Sequence, residues 1–562
     1  MTQPVTLQGR FRPGRLSRGL TALGIVVPTL WVQKLPLWMF FGPDDLIHME
    51  QATGLLPPPA SALRLFSQVA YFKLMLAVFG PAPFPFHVVS LALHAINACL
   101  LWRVLLRAGI PGVAAFLAAL GFGCFPLHYA TLLYAVGIND VLACFFALLA
   151  LWLLQRLTRT AAVLAALGFA VGLLCKESIL ALPLVFPFLL GTSNRGVRAR
   201  AIFPVVLVGL AFVFVYAALR PFGLAPGGSA YAIDLGPHAL ANVVTYAAWA
   251  AEWRNALPDL GEVASAGAIV PGVLWLAIAA LCAAFIPGLR RPCGAGLLWF
   301  VAAGLPVFVL AHHAYVHYLY VPVIGSALAL GGVTSHLWVS AESVMGRLFH
   351  VSPVARGARR QRFVHAGFAM LAGIVVLFAV GRADDLVHER MYTTMPDIAL
   401  PRDPATRKAE LAGRAVASIQ ASIDRTEPSL TLFAPPGQAM VYGTLSGRRF
   451  SSAPQVSAYD VLDEVLDHGR ALRLFAPWVR RVRFTTNWRD AIAGGQIFWR
   501  VPDGRLVSLG SGAAAQRALA GALVASGEPG EARALLEALG ATRNPDARAS
   551  AAGPRSGDLP RP

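Results

Sequence analysis

Charge is scarce in this 562-residue chain: Asp, Glu, Lys and Arg make up 14% of it, against roughly 25% in an ordinary soluble domain. With 56% hydrophobic residues and a mean hydropathy of +0.60, that shortage excludes a soluble enzyme. Lysine is scarcer still. It occurs only at Lys34, Lys73, Lys176 and Lys408, never before Ser or Thr, so the phosphate-binding loop of a nucleotide-driven pump is absent. The six cysteines show no C-x-x-C spacing, which argues against a zinc site or a disulfide framework and leaves them as small core residues.

What is there in excess is positive charge, a net +18. It does not gather on a polar domain, as recognition of nucleic acid requires, so no nucleic-acid partner is expected. The excess lies mostly before residue 382, where 24 basic residues face 10 acids. Hydropathy in that part supports about eleven spans of roughly 20 residues each. They begin near Leu20, Phe84, Val113, Val136, Ala161, Ser178, Ala201, Ala268, Gly294, Tyr318 and Phe363. With the N-terminus in the cytoplasm, the basic turns at Arg10–Arg18, Arg103/Arg107, Arg156/Arg159, Arg195–Arg200, Arg290/Arg291 and Arg347–Arg362 put 18 of the 24 basic residues inside. Nine of the ten acids, all but Glu342, fall at or near the other face. The first apolar run has no small-residue cleavage site and leads into Gly42-Pro43-Asp44-Asp45, so it reads as a retained anchor.

An odd number of spans places the C-terminus outside. The expected fold is mainly α, a polytopic membrane domain over residues 1–381 followed by a smaller mixed α/β extracytoplasmic domain over 382–511. Segments 429–433, 439–445, 481–486 and 496–501 read as strands, and 458–468 and 514–525 as helices. Residues 512–541 resemble a single tetratricopeptide-type hairpin, too few for a stacked array. The Arg-, Pro-, Ala- and Ser-rich segment 542–562 reads as a disordered tail.

Ionisable groups at membrane depth cost roughly 2.5–3.5 kcal/mol each to insert, which makes those present functional candidates. Asp44 and Asp45 follow the first span on its outer side, where one of two neighbouring carboxylates tends to have a raised pKa suited to a general base. They equally suit a solvated loop. Asp140 opens the fourth span on the same face, and Lys176-Glu177 form the hinge between the fifth and sixth, either as a functional pair or as a structural ion pair. His312, His313 and His317 cluster at the outer end of the ninth span and into the tenth, where they could bind metal or donate to a lipid phosphate. Tyr315, Tyr318 and Tyr320 suit an interfacial belt or a substrate platform. Trp249, Glu252, Trp253 and Arg254, in the outer loop between Arg220 and Gly267, suit a lid, a sugar-binding face or a membrane interface.

Over residues 40–330 a run of motifs appears in order: Asp44-Asp45-Leu-Ile-His48, Arg64-x-x-Ser67, Phe-Gly80, Phe86-His87-Val-Val, Leu93-His94-Ala-x-Asn97, Pro126-Leu-His128, Asp140-Val-Leu, Cys175-Lys176-Glu177-Ser178 and Tyr318-Leu-Tyr320-Val-Pro322. Together they resemble the GT-C superfamily of polytopic glycosyltransferases, close to bacterial relatives of the tetratricopeptide-containing O-mannosyltransferases. The resemblance implies a bacterial inner-membrane enzyme that takes a sugar from a polyprenyl-phosphate-linked donor and gives it to an extracytoplasmic acceptor. It maps the family's first-loop acid, a base or metal ligand, onto Asp44 and Asp45. A divalent cation, Mg or Mn, is the one cofactor it admits. In that reading Arg64, Lys176 and His317 hold the donor phosphate, while His48, His94, His128, Asp140, Glu177 and Tyr320 line the substrate groove in the membrane lipid. The chain departs from the family pattern at three places. Phe125-Pro-Leu-His-Tyr-Ala130 replaces H-P-x-H-x-E, Arg64-Leu65 replaces Arg-Pro, and Val316-His317 replaces Glu-Arg. The competing expectations are a scaffold that has lost catalysis and a lipid or glycan transporter.

Overall fold

The structure is a computed structural model that describes residues 15–57, 64–192, 194–219, 235–251, 266–310, 314–348, 357–395, 398–435, 439–440, 456–501 and 504–540. Long β-branched- and Leu-rich runs without charge become helices because only a helix satisfies its own backbone inside a bilayer. Among the described residues, five helices are long and apolar enough to span: Pro83–Arg107, Ala135–Leu154, Arg195–Ala218, Arg290–Phe308 and Val323–Ala341. A sixth is the bent pair Gly112–Gly123 and Pro126–Leu132, which meet at 43°. Pro126 causes the bend, since it lacks an N–H and pushes Phe125 into an extended conformation. Arg18–Val32, Leu65–Phe79, Arg159–Leu173 and Val270–Phe285 are shorter apolar helices.

By length and composition the structure therefore counts five or six spans where hydropathy alone suggests about eleven. Three of the expected spans, those from Leu20, Ala161 and Ala268, fall on the shorter apolar helices Arg18–Val32, Arg159–Leu173 and Val270–Phe285. The run expected to span from Ser178 is a series of short turns, Glu177–Ile179, Leu182–Leu184 and Phe186–Leu189, interrupted by Pro183 and Pro187. The long outer loop expected between Arg220 and Gly267 contains a helix of its own, Pro237–Ala251. The boundary expected at 381/382 falls inside one continuous helix, Gly357–Tyr392. Phe214, Phe285 and Phe378 are each 76% exposed on the outside of these helices, an apolar surface that suits lipid and not water.

Basic turns gather at one end of the bundle. Arg107 and Arg156 both lie 4.5 Å from the Trp152 ring centroid, while Arg291 and Arg198 donate to the carbonyls of Phe188 and Pro187. Asp44, Asp140 and Glu177 lie towards the other end, with the C-terminal domain.

That domain is built on strand Ser429–Phe433, whose near-continuous burial fits a central position. It pairs in parallel with Arg481–Thr485 on one side and with Gln496–Arg500 on the other, and Leu506–Gly510 adds an antiparallel edge. Leu430, Leu432 and Phe498 face helix Pro404–Ser422 and share one core with the membrane domain. Phe433 and Ile497 face the hairpin Gly512–Ala525/Pro529–Ala538, anchored by a 2.7 Å hydrogen bond from Trp488 Nε1 to Glu531. The tetratricopeptide-like hairpin thus covers a sheet. The expected tail from 542 lies outside the described residues, as does most of the expected strand 439–445, of which Ala439–Met440 is described.

Side chains from both parts fasten the domain to the bundle. Arg390 Nε donates to the Tyr129 hydroxyl at 2.8 Å, and that hydroxyl donates to Asp403 Oδ2 at 2.8 Å. Asp403 Oδ1 also accepts the Thr406 N–H, capping helix Pro404–Ser422. Lys34 pairs with Asp384 at 2.6 Å, and Phe475 packs on the rings of Phe40 and Phe41.

Candidate active site

Helix Pro43–Thr53 starts directly after Gly42, beyond the C-terminal end of the first apolar helix. Asp45, its third residue, accepts the Gly42 N–H on Oδ2 at 2.9 Å, closing the helix N-terminus. Its Oδ1 accepts the Val136 N–H at 2.7 Å, from the turn that leads to Asp140. A Cβ on Gly42 would collide with the Tyr134 ring, and one on Gly137 with the Thr131 carbonyl. The two glycines allow the approach that this bond needs. Asp45 is wholly buried. Burial pushes its carboxyl up to about 7, against the pull of the Val136, Gly42 and Ala135 N–H groups, and repulsion from Asp44 is the smallest cause.

Asp44 is exposed. The adjacent acids, either of which was a candidate base, divide into a solvent-facing carboxylate and a structural tie. One turn on, half-buried His48 places Nδ1 3.0 Å from Gln51 Oε1 and lies within electrostatic reach of both Asp44 and Arg64. Burial lowers its pKa, with Gln51 and Asp44 pulling the other way. His48 thus links the first-loop acids to a second group of charges.

In that group Arg64 donates to Glu177 through Nη2 at 2.6 Å and Nε at 3.3 Å. Lys176 Nζ meets Asp140 Oδ2 at 2.6 Å, with both side chains buried. The sequence neighbours Lys176 and Glu177 do not pair with each other. Lys176 is extended, with φ −161° and ψ 138°, so its side chain and that of Glu177 diverge to different partners. Burial pushes the Glu177 carboxyl up, but the charge and hydrogen bonds of Arg64, together with the Glu177 backbone N–H and Lys176, hold it below the usual carboxylate range. Ser67 Oγ donates to the Cys175 carbonyl at 3.0 Å, pinning the hinge. Tyr318 covers Lys176, its ring centroid 4.6 Å from Nζ. His317 sits beside it, 4.2 Å from the Tyr318 ring, and its carbonyl accepts the Thr131 hydroxyl. Asp44, His48, Arg64, Asp140, Lys176, Glu177 and His317 thus form one connected region.

His94, His128 and Tyr320, expected in a substrate groove, lie instead in the helix core, each no more than 2% exposed. His94 Nε2 faces the Gly123 carbonyl at 3.0 Å and so carries the proton, leaving Nδ1 to accept from the Tyr320 hydroxyl at 2.8 Å. Asn97 donates to the Tyr320 oxygen at 3.2 Å and to the Val141 carbonyl at 2.9 Å. The His128 ring packs 4.6 Å from Tyr320 and 4.9 Å from His94. The His94–Tyr320–Asn97 chain ties three helices together, while Asn97 Oδ1 and His128 Nε2 are buried beside it without a hydrogen bond. Tyr320→Phe should strip His94 Nδ1 and Asn97 of their partner and cost about 1–3 kcal/mol, read as a lower unfolding midpoint in detergent with unchanged substrate KM.

Trp249, for which a lid, a sugar-binding face and a membrane interface were open, is 1% exposed and packs on Tyr246. Glu252, Trp253, Arg254, His312 and His313 lie outside the described residues. Both Asp45 oxygens accept backbone N–H groups and the side chain is wholly buried, so of the two first-loop acids Asp44 alone presents its carboxylate to solvent. Among the described residues no three His, Cys, Asp or Glu side chains converge as a metal cluster.

No protein-family model matches the chain, and no curated protein does. Among solved structures, the crystal structure of the Archaeoglobus fulgidus oligosaccharyltransferase, tethered with an acceptor peptide, is similar at 12% identity and a TM-score of 0.40. The match covers 89% of this chain and 74% of that one. A likeness of that size establishes neither a shared site nor a shared reaction.

Two parts of the site are missing from the sequence reading. Ser67 appears there only as a motif letter, and the cover of Tyr318 over Lys176 has no local signature, since their separation in the chain says nothing of helix packing.

Proposed function

We propose that the chain is a GT-C-type membrane glycosyltransferase that transfers a sugar from a polyprenyl-phosphate-linked donor to an acceptor on the extracytoplasmic side. The observation that carries this reading is the division of the first-loop acids: Asp45 is spent on backbone N–H groups while Asp44 stands exposed, with His48 between it and Arg64. The motif order from Asp44 to Pro322 supports it. So does a half-open apolar cavity of about 380 Å³ by the Pro126 bend, lined by Phe125, Trp275, Val323 and Leu330 among others, which suits an isoprenoid chain.

In the proposed step Asp44 takes the proton of the acceptor hydroxyl as its oxygen attacks the anomeric carbon. The bond from that carbon to the phosphate oxygen breaks, the electron pair leaves with the polyprenyl phosphate, and configuration inverts. Arg64 uses Nε and Nη2 on Glu177, which leaves Nη1 to meet the phosphate as its charge grows. Lys176, tied to Asp140 and covered by Tyr318, acts on Arg64's surroundings and not on the phosphate directly. His317 remains a candidate donor beside it. No step is routed through a metal. The orientation proposed is N-terminus in the cytoplasm of a bacterial inner membrane, with the C-terminal domain outside.

A second reading, a scaffold without catalysis, is favoured by Ala130. It stands where the family pattern has Glu and is buried. Mass spectrometry of envelope glycans and glycoproteins separates the two. A glycan mass lost on deletion of the gene should return with the wild-type protein and stay absent with a membrane-inserted Asp44→Asn. Restoration by that variant overturns the catalytic reading, and no mass change on deletion overturns transfer altogether.

A further inference from the structure

Glu50 lies near the end of helix Pro43–Thr53, is wholly buried, and has no hydrogen-bond partner on either carboxyl oxygen. The group facing it across the domain contact is another acid, Asp467, which lies within hydrogen-bonding reach of Glu50. Asp467 Oδ2 is also buried without a hydrogen bond; Arg470 Nη1 lies 3.3 Å away but at an angle that makes an ion pair only. The turn that presents Asp467 is unusual. Asp467, His468 and Gly469 take φ values of 46°, 55° and 80° in succession, a left-handed run that non-glycine residues adopt only when their surroundings require it.

Two acceptor-only carboxylates have nothing to exchange, and burying both ionised would leave repelling charges out of water. One proton changes that, because a protonated carboxyl donates to its ionised neighbour. We propose that Glu50 and Asp467 share a single proton and form a pH-operated clasp that docks the C-terminal domain on the helix bearing Asp44. The clasp does not depend on whether the chain transfers a sugar.

The groups around Glu50 are consistent with this. The C-terminal domain presents Asp467, Arg470 and Arg473; Arg470 balances the one negative charge of the pair, and Arg473 is engaged with the Arg480 carbonyl. On the membrane side, the packed elements carry Tyr71 and exposed Lys73, with Arg64 just ahead of them and committed to Glu177. Asp44, Asp45 and His48 complete the charges on Glu50's own helix. None of these supplies a hydrogen bond to Glu50.

Burial, then Asp467, raises the Glu50 carboxyl from 4.5 to about 8. The sign follows. Docking takes up a proton that separated Glu50 has lost, so the clasp is strongest below 4.5 and is lost as pH rises through about 8. Between these values its closing equilibrium weakens by about tenfold per pH unit. The contacts of Phe475 with Phe40 and Phe41 and the Arg390–Tyr129–Asp403 chain carry no such titration partner, so the domain loosens locally and does not detach.

The test uses the full chain in nanodiscs. Difference infrared spectroscopy should show a protonated-carboxyl band at neutral pH that titrates near 8 and is missing in Glu50→Gln. Spin labels on Thr53→Cys and Asp463→Cys, in a background lacking the native cysteines, should report a separation that grows between pH 7 and 9. In Glu50→Gln, whose amide donates at every pH, the separation should stay short. Asp467→Asn serves as the second variant if Glu50→Gln does not fold, and should remove the same band. A titrating band that persists in both variants, a separation that ignores pH in the parent, or one that responds to chelator in place of pH overturns the clasp.

Discussion

Asp44→Asn is expected to lower sugar transfer by about 10²–10⁴-fold, the usual contribution of a general base, with normal membrane insertion and an unchanged unfolding midpoint. The side chain is exposed, so its replacement by an isosteric amide removes no packing. The amide cannot accept the acceptor's proton. Asp45→Asn should behave in the opposite way. Its two oxygens accept the Gly42 and Val136 N–H groups at 2.9 and 2.7 Å, and an amide turns an N–H towards one of those donors. The expected cost is about 1–3 kcal/mol, seen as a lower midpoint, with transfer per folded molecule reduced far less than in Asp44→Asn. Single-turnover transfer from a synthetic polyprenyl-phosphate sugar, normalised to folded protein, measures both. Equal losses in both variants, with equal stability, would remove the distinction on which the proposed base rests.

Lys176→Met should be the most destabilising single change at the site. It leaves Asp140, whose side chain is 5% exposed, as an uncompensated buried carboxylate, at a cost of about 3–5 kcal/mol. Lys176→Met combined with Asp140→Leu should recover most of that stability, because replacing a whole buried pair by apolar groups is often neutral or better. Arg64→Met offers the contrast. Arg64 and Glu177 are each about one-third exposed, and such a pair is worth about 0–1 kcal/mol, so this variant should keep its stability and lose transfer. Chemical denaturation in detergent, followed by tryptophan fluorescence, ranks the three. A double variant no more stable than Lys176→Met would show that the pair acts through more than its charge.

The starts of several apolar helices, such as Pro83–Arg107, Gly112–Gly123 and Arg159–Leu173, were legible because hydropathy is a local property. So were strands Ser429–Phe433, Arg481–Thr485 and Gln496–Arg500, whose β-branched and aromatic content persists over a few residues. Partners across the bundle were not legible. Nothing near Lys176 says that it pairs with Asp140 and not with Glu177, and nothing near His94 says that Tyr320 turns its hydroxyl inward. Those outcomes depend on which helix faces meet, at separations of 36 and 226 residues. The span expected from Ser178 is interrupted at Pro183 and Pro187, since a hydropathy window averages over a break that the backbone cannot. The acids of the first loop were found as a pair with the choice between them open, because burial separates Asp45 from Asp44 and a sequence carries no burial label.

Helix Gly357–Tyr392 runs unbroken for 36 residues, from the lipid-facing side chains around Phe378 to Arg390 at the domain contact. A continuous helix transmits rotation as well as height. At 3.6 residues per turn, each residue added or removed along it would swing whatever follows by roughly 100° and shift it by about 1.5 Å. The azimuth of the C-terminal domain is therefore keyed to the helix's register in the bilayer, and Arg390 reaches Tyr129 at one setting of that dial. Chain length between Gly357 and Arg390 is thus a constraint in itself, independent of which apolar residues fill it.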